Sequence, residues 1–260
     1  MLQIVDALRA QLGDNLTNII LHGSLSFGCY YIPKSDIDIL CIIKSPLSEN
    51  EAREALRTLA TLNDARPHIG ALESSIVLQK DAHVPQHPIP YELHFSEKYA
   101  EAIKNNTYNY DQRSGRDPDL AAHFTVARKR GINLIGDAPE RVLGQVAWKD
   151  FLDAVMDDLN WIIKDENILE TPFYGVLNAC RVLMTLQNGE GTVVSKEEGG
   201  LWALKYLPPS QHPVIIKALD VYRSSSAIKT EQRRLAGVEW DATSLLSFRD
   251  YIRNRLLSKA

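Results

Sequence analysis

The stretch Leu21-His22-Gly23-Ser24, followed after ten intervening residues by Ser35-Asp36-Ile37-Asp38-Ile39-Leu40, sets the expected fold of this chain. One apolar run precedes the Gly-Ser turn and another follows the aspartates, and each is long enough for a strand. Side chains alternate along a strand with a period of two, so the two aspartates share one face and the isoleucines beside them occupy the other. We therefore predict two strands joined by a polar loop, with an acidic pair on one face of the second strand.

The acidic pair also predicts a chemistry. Two carboxylates held on one face of a strand repel each other unless a cation lies between them. Mg²⁺ takes oxygen ligands of this kind, usually one or two carboxylates together with phosphates of the substrate. The Gly23-Ser24 turn offers a close backbone approach and a hydroxyl group, which suit a phosphate. An Asp-x-Asp pair by itself is more often a solvated strand edge, but together with the turn and the flanking strands it predicts a site for a metal-bound polyphosphate.

Composition limits the classes of partner. The chain has 260 residues, of which 45% are hydrophobic and 24% charged, as is typical of globular proteins. Its net charge of −4 argues against binding nucleic acid through a broad basic surface. The three cysteines are widely spaced, which is typical of free thiols in a reducing compartment. No apolar run reaches the length of a membrane span, and the N-terminus lacks a signal-peptide pattern. We expect a cytoplasmic protein without membrane or nucleic-acid partners.

The pattern of elements changes along the chain, and this predicts an α+β fold with two domains. Residues 1–145 alternate strands and helices, as expected for an α/β domain with a mixed sheet, whereas residues 146–260 show only helical spacing, as expected for an all-helical bundle. Three prolines predict a loop over 83–90, before a strand at 91–95. The other predicted strands are 17–23, 36–44 and 71–79, and the predicted helices of the second domain are 148–163, 172–187, 196–206, 210–225 and 243–257.

The motif resembles the signature of the nucleotidyltransferase superfamily that includes DNA polymerase beta. From about residue 15 to 255 the chain further resembles the bacterial aminoglycoside nucleotidyltransferases, of the streptomycin/spectinomycin adenylyltransferase type. The narrower resemblance lies in stretches beyond the motif: Leu72-Glu73-Ser74-Ser75-Ile76-Val77, Tyr91-Glu92-Leu93-His94-Phe95, Asp119-Leu120-Ala121, Leu177-Asn178-Ala179-Cys180-Arg181 and Trp202-Ala203-Leu204.

The resemblance implies transfer of AMP from ATP to a drug hydroxyl, release of pyrophosphate and drug resistance. It implies two Mg²⁺ ions, for which Asp36, Asp38 and Glu73 are the candidate ligands. Glu73 is also the candidate general base, with Glu92 as the alternative. Gly23 and Ser24 would contact the terminal phosphates, and Ser35 would make a further nucleotide contact.

The resemblance also assigns binding roles to the helical domain, which would contribute to both ATP and substrate binding. Arg181, Lys196 and Tyr222 match nucleotide contacts of the family. Asp165 and Glu166, together with Glu170, are candidates for pairing with amines of the drug. Streptomycin-modifying members carry a tryptophan in this loop, and its place is taken here by a residue near Ile168. Spectinomycin is therefore favoured over streptomycin.

Two other functions remain open from the sequence. A nucleotidyltransferase could act on a protein or another small-molecule acceptor, although the near full-length resemblance to the drug-modifying pattern weighs against this. The chain could also be a catalytically inactive ATP-binding interaction protein. The complete set of Ser24, Asp36, Asp38 and Glu73 argues against loss of activity.

Overall fold

The computed structural model describes residues 1–66, 70–224 and 238–257, and the chain divides into two compact units. The first unit consists of Met1–Tyr30 and Ser35–Phe151, and the second of Tyr31–Lys34 and the described part of Leu152–Ala260. The short segment Tyr31–Lys34 thus belongs to the second unit, although the chain on both sides of it belongs to the first. The domain boundary near residue 145 remains a prediction, because compactness does not establish which segments fold independently.

The first unit is built on a five-stranded mixed sheet, as predicted. Its strand order is β5-β3-β2-β1-β7; β2 and β3 are parallel and the other neighbours are antiparallel. A separate two-stranded ribbon is formed by β4 and β6. The strands are β1 (Leu16–His22), β2 (Ile37–Ile43), β3 (Leu72–Leu78), β4 (Ile89–Tyr91), β5 (Leu93–Phe95), β6 (Gly115–Asp117) and β7 (Ile132–Ile135).

Helices cover both faces of this sheet, as the alternation of buried side chains requires. On one face Ile39 and Cys41 pack with residues of helices α1, α3 and α5, and on the other Leu40 and Ile42 pack with Phe124 of helix α6. Asp38 has the parity of Leu40, so its side chain lies on the α6 face. The first-unit helices are α1 (Leu2–Leu12), α2 (Gly23–Ser26), α3 (Glu49–Asp64), α4 (Gln79–His83), α5 (Glu97–Lys104), α6 (Leu120–Arg130) and α7 (Pro139–Val142).

The second unit is helical among its described residues, which agrees with the predicted bundle. Its helices are α8 (Trp148–Ile163), which begins in the first unit, α9 (Pro172–Asn188), α10 (Lys196–Tyr206), α11 (His212–Arg223) and α12 (Ala242–Leu257). The last residue of the predicted 210–225 helix lies outside the described residues. In the described part of the chain, no helix combines the length and apolar character of a membrane span.

The segment Tyr31–Lys34 is anchored within the second unit by specific contacts. The Tyr31 hydroxyl donates to Oε2 of Glu197 at 2.7 Å, and its ring packs edge-on against Tyr222 with centroids 5.1 Å apart. Lys34 is buried, and its Nζ donates to Oγ of Ser224 at 2.6 Å. Four residues of an otherwise polar loop are thereby held by hydrogen bonds and aromatic packing.

The region after β3 differs from the sequence prediction. Residues 79–83 form α4 rather than the end of a strand, and β4 begins at Ile89, within the predicted 83–90 loop, and ends at Tyr91. β4 contains Pro90 and pairs only with the short β6, where a missing backbone donor is tolerated because each strand has a free edge. Long-range pairing therefore overrides the local proline signal.

Helices α9 and α10 approach closely at Gly199, and this generates a stability prediction. A methyl group at Gly199 would lie 2.6 Å from the backbone N and Cα of Arg181, whereas at Gly200 it would meet only the side-chain ends of Leu177 and Leu219. Alanine normally favours a helix over glycine. We expect Gly199→Ala to lower the free energy of unfolding by about 1–3 kcal/mol through overpacking.

The matched control is Gly200→Ala, which gains the same helix propensity and can be accommodated by movement of leucine methyl groups. We expect its free energy of unfolding to stay within about 1 kcal/mol of the parent. Urea denaturation followed by circular dichroism compares the two. Equal stability of the two variants would contradict the close backbone approach at Gly199.

Candidate active site

The Gly-Ser turn lies directly against the acidic strand. Gly23 follows β1 with φ of +64°, a left-handed conformation that favours glycine. A methyl group at Gly23 would lie 1.9 Å from Oδ2 of Asp38, so a larger residue would displace the carboxylate. The hydroxyl oxygen of Ser24 is buried and has no hydrogen-bond partner among the described residues. The turn thus brings an unsatisfied hydroxyl and a side-chain-free backbone to the position of the aspartate.

The sheet register brings the third predicted carboxylate into the same row. Asp38 of β2 is level with His22 of β1 on one side and with Glu73 of β3 on the other. Residues level in paired strands point to the same face, so these three side chains form one row. Asp36 lies two residues before Asp38, and its Oδ1 accepts a hydrogen bond from the Ala71 amide at 2.7 Å. The structure therefore brings Asp36, Asp38 and Glu73 together on one face.

The environment of Glu73 favours proton acceptance. Burial raises the pKa of its half-buried carboxyl, and the negative charges of Asp36 and Asp119 raise it further against the opposing charges of His123 and Lys98. Nε2 of His94 lies 3.7 Å from Oε1 of Glu73, and Nδ1 of His94 is 3.0 Å from Oγ of Ser75. A carboxylate with a raised pKa is a stronger base than an exposed glutamate.

The alternative base, Glu92, lies elsewhere on the sheet. Its backbone amide donates to the Ile76 carbonyl, three residues along β3 from Glu73, and its Oε2 accepts from the Leu47 amide at 3.3 Å. Glu92 therefore holds the 44–48 connection and is not part of the carboxylate row.

Sequence reasoning missed two histidines and an aspartate that belong to this site. Nε2 of His123 on α6 is 3.2 Å from Oδ2 of Asp119, and the rings of His123 and His22 are 5.2 Å apart. Burial disfavours protonation of His123, but Asp119, Glu73 and Asp38 outweigh it and raise its pKa to about 9. His22 has its pKa lowered by burial and then by the charge of His123. The one sequence signal was the i,i+4 spacing of Asp119 and His123, which does not reveal that α6 faces the sheet.

The donor set fits Mg²⁺ in its chemistry. Asp36, Asp38 and Glu73 offer hard carboxylate oxygens on one face, and a cation would relieve their mutual repulsion. Burial is the main cause of the raised pKa of Glu73, and the charge of Asp36 adds to it. Among the described residues no three His, Cys, Asp or Glu side chains form a ready-made metal cage. Mg²⁺ is usually bound by one or two carboxylates together with substrate phosphates, so it does not require a cage of three side chains.

The predicted nucleotide-binding residues of the second unit differ in burial and in the contacts they make. Arg181 is half-buried on α9, and its guanidinium makes no hydrogen bond or ion pair among the described residues. Nζ of Lys196 lies 4.7 Å from the ring centroid of Tyr174. Tyr222 is 1% exposed, and its ring packs against Tyr31 and Phe173. Arg181 and Lys196 are therefore partly exposed, whereas Tyr222 lies within the core.

The predicted acceptor-binding acids all lie at the surface. Asp165, Glu166 and Glu170 are exposed, and they flank the short 3₁₀ turn Asn167–Leu169. Ile168, near the position of the family's tryptophan, is fully buried.

Comparisons with known proteins match this chain to adenylyltransferases. The family model for the C-terminal domain of aminoglycoside adenylyltransferases matches residues 141–245. Aminoglycoside (3'') (9) adenylyltransferase of Escherichia coli is 26% identical over 265 residues, covering 98% of this chain and 92% of that protein. Spectinomycin 9-adenylyltransferase of Campylobacter jejuni is 23% identical and covers 95% of this chain and 91% of that protein.

A solved structure shares the fold. The crystal structure of spectinomycin adenyltransferase AAD(9) from Enterococcus faecialis, with ATP and spectinomycin, aligns with a TM-score of 0.77 at 21% identity. The alignment covers 98% of this chain and 96% of that one. The matched C-terminal domain and the near full-length relatives agree: over nearly its whole length the chain is similar to aminoglycoside adenylyltransferases.

Proposed function

We propose that this protein transfers AMP from ATP to a hydroxyl of an aminoglycoside-type antibiotic, releases pyrophosphate and thereby confers resistance. The observation that carries the proposal is the register that sets Asp38 level with Glu73 and against Gly23. The relatives that match nearly the full chain are named as adenylyltransferases, which supports the same reaction. We infer that spectinomycin is a better acceptor than streptomycin, since Ile168 lies near the position of the tryptophan found in streptomycin-modifying members.

The metal requirement is part of the proposal. Asp36, Asp38 and Glu73 would hold two Mg²⁺ ions with the triphosphate. Bound Mg²⁺ supplies charge neutralisation at the phosphates and polarises the phosphorus under attack. The chain supports this with hard oxygen donors on a single face.

The residues of the first unit have separable roles in the proposal. Gly23 lets the backbone approach the terminal phosphates, and the unpartnered Ser24 hydroxyl donates to them. Ser35, buried just before the acidic pair, makes a further nucleotide contact. Glu73 accepts the proton of the attacking hydroxyl, for which its raised pKa is suited.

The second unit contributes nucleotide and acceptor contacts in the proposal. Arg181 and Lys196 would bind phosphate oxygens, because a guanidinium and an ammonium group are the usual partners of phosphate. The proposed contact of Tyr222 rests on its family position alone, since the residue is buried. The exposed acids of the 164–172 loop, Asp165, Glu166 and Glu170, would pair with amines of the drug. We place the reaction in the cytoplasm, where ATP is supplied, with neither nucleic acid nor membrane as a partner.

The direct test is AMP transfer from labelled ATP with a panel of drugs, followed by thin-layer chromatography and pyrophosphate release. We expect drug-dependent turnover that is fastest with spectinomycin and that stops when Mg²⁺ is chelated. Asp38→Asn should reduce turnover at least about 100-fold, because it removes a metal-ligand charge. Asp14→Asn, an exposed site of the same unit, is the control and should retain parental activity. Turnover without any drug would favour another acceptor, and inertness with every drug would favour an inactive nucleotide-binding protein.

A second prediction concerns the turn at Gly23. Gly23→Ala should lower kcat about 100-fold, because its methyl group would push the Asp38 carboxylate out of position and catalytic geometry tolerates little displacement. Gly28→Ala is the matched control: φ is +75°, but a methyl group there meets no atom within 4 Å. Both variants carry the cost of a left-handed alanine, about 1 kcal/mol in stability. If their kcat values fell equally, displacement of Asp38 would not be the cause.

A further inference from the structure

Asp158 on α8 carries a negative charge that is not neutralised within the described residues. Its half-buried carboxylate forms no ion pair there, and the described hydrogen bonds to it come from neutral groups. The Tyr174 hydroxyl donates to Oδ2 at 2.7 Å, and Nδ2 of Asn178 donates to the same oxygen. A carboxylate in such a setting is oriented by its donors but keeps its charge available for a cation.

Asn178 adds a second acceptor to the same place. The residue is fully buried, and its Oδ1 has no hydrogen-bond donor among the described residues. The amide orientation is fixed, because turning it over would set an oxygen against the Asp158 carboxylate. Buried polar atoms are almost always paired, so an orphaned oxygen beside an unpaired carboxylate indicates a missing donor. A cationic group with several N–H bonds would satisfy both the Asp158 carboxylate and Oδ1 of Asn178.

The two acceptor groups lie close to the residues of the second unit that we propose bind ATP. Tyr174, Asn178 and Arg181 recur at i, i+4 and i+7 on α9, so they share one face of that helix. Nζ of Lys196 lies over the Tyr174 ring. Asn178 therefore shares a face of α9 with Arg181, and Asp158 of α8 and Lys196 of α10 both contact Tyr174 on that face.

We propose that Asp158, assisted by Oδ1 of Asn178, binds a protonated amine of the acceptor and so determines acceptor specificity. This inference rests on the proposed function, in which the acceptor is an amine-bearing drug. The ammonium group donates one N–H to the carboxylate and another to the amide oxygen, which satisfies both. Asp158 is better suited to this than the exposed acids of the 164–172 loop, because partial burial reduces screening and two donors hold the carboxylate in one orientation.

The test is isothermal titration of spectinomycin into protein saturated with Mg²⁺ and α,β-methylene-ATP. We expect Asp158→Asn to weaken drug binding about 10- to 100-fold, the range for a charged hydrogen bond, with affinity for the ATP analogue changed less than about 2-fold. Asp157→Asn is the matched control, since it removes the same charge from an exposed neighbouring position on α8 and should not alter drug affinity.

A second measurement keeps the proposal falsifiable if Asp158→Asn does not fold. Spectinomycin with its amines acetylated lacks the ammonium charge, and we expect the parent protein to bind it about 10- to 100-fold more weakly than the free drug. Asp158→Asn should discriminate less between the two ligands. Equal binding of the two ligands by the parent, or a folded Asp158→Asn with unchanged drug affinity, would overturn the proposal.

The outcomes separate this inference from the proposed function. A parent protein that transfers AMP while Asp158→Asn keeps parental drug affinity would overturn the assignment of Asp158 alone. A parent protein that binds spectinomycin through Asp158 but transfers no AMP would overturn the proposed reaction and support the amine site. A fall in melting temperature with unchanged drug affinity would show that Asp158 only ties α8 to α9, and would also overturn the proposal.

Discussion

Electrostatic repulsion among Asp36, Asp38 and Glu73 is the constraint on which the site depends. The parallel pairing of β2 with β3 fixes Asp38 level with Glu73, and the turn at Gly23 holds the backbone against the Asp38 carboxylate. Like charges on one face are unfavourable unless a cation is supplied. Burial is the main cause of the raised pKa of Glu73, and the negative charge of Asp36 adds to it. The fold therefore maintains an unfavourable arrangement of like charges, which the proposed binding of Mg²⁺ would relieve.

The surrounding residues moderate this repulsion without removing it. His123, with its pKa raised to about 9, supplies one positive charge from α6, and Asp119 orients that ring. His22 occupies the row itself, but burial lowers its pKa, so it fills space there without adding a second cation. A single histidine charge leaves the three carboxylates with net negative charge, which suits the proposed binding of Mg²⁺.

The second unit brings positive and negative groups together around helix α9. Arg181 and the nearby Lys196 provide cations, whereas Asp158 and the Asn178 oxygen provide acceptors. Phosphates and protonated amines have opposite requirements, so adjacent sites of opposite sign suit a reaction that joins a nucleotide to an amine-bearing acceptor. The segment Tyr31–Lys34 also belongs to this unit, although it directly precedes Ser35 and the acidic strand in the sequence.

Local sequence patterns predicted the acidic strand and the helices of the second unit, whereas contacts between elements distant in the sequence were not predicted. The period-two alternation around Asp36 and Asp38 correctly predicted the strand and its acidic face, and the regular apolar spacing after residue 146 predicted helices. Glu73 became a candidate only through the family resemblance, because its partner across the strands is 35 residues away. His123 and Asp158 were missed because each gains its role from a different element, α6 on the sheet or α8 beside α9, and no sequence spacing encodes such a contact. The ribbon containing Pro90 was missed for the same reason.

A crystal structure of the protein with α,β-methylene-ATP, Mg²⁺ and spectinomycin would test the central claim most directly. The account predicts metal density bound by the carboxylates of Asp36 and Asp38, the triphosphate over the Gly23-Ser24 turn, and a drug hydroxyl within hydrogen-bond distance of Glu73. A metal and triphosphate bound away from Asp38, or a drug bound with no hydroxyl near Glu73, would contradict it.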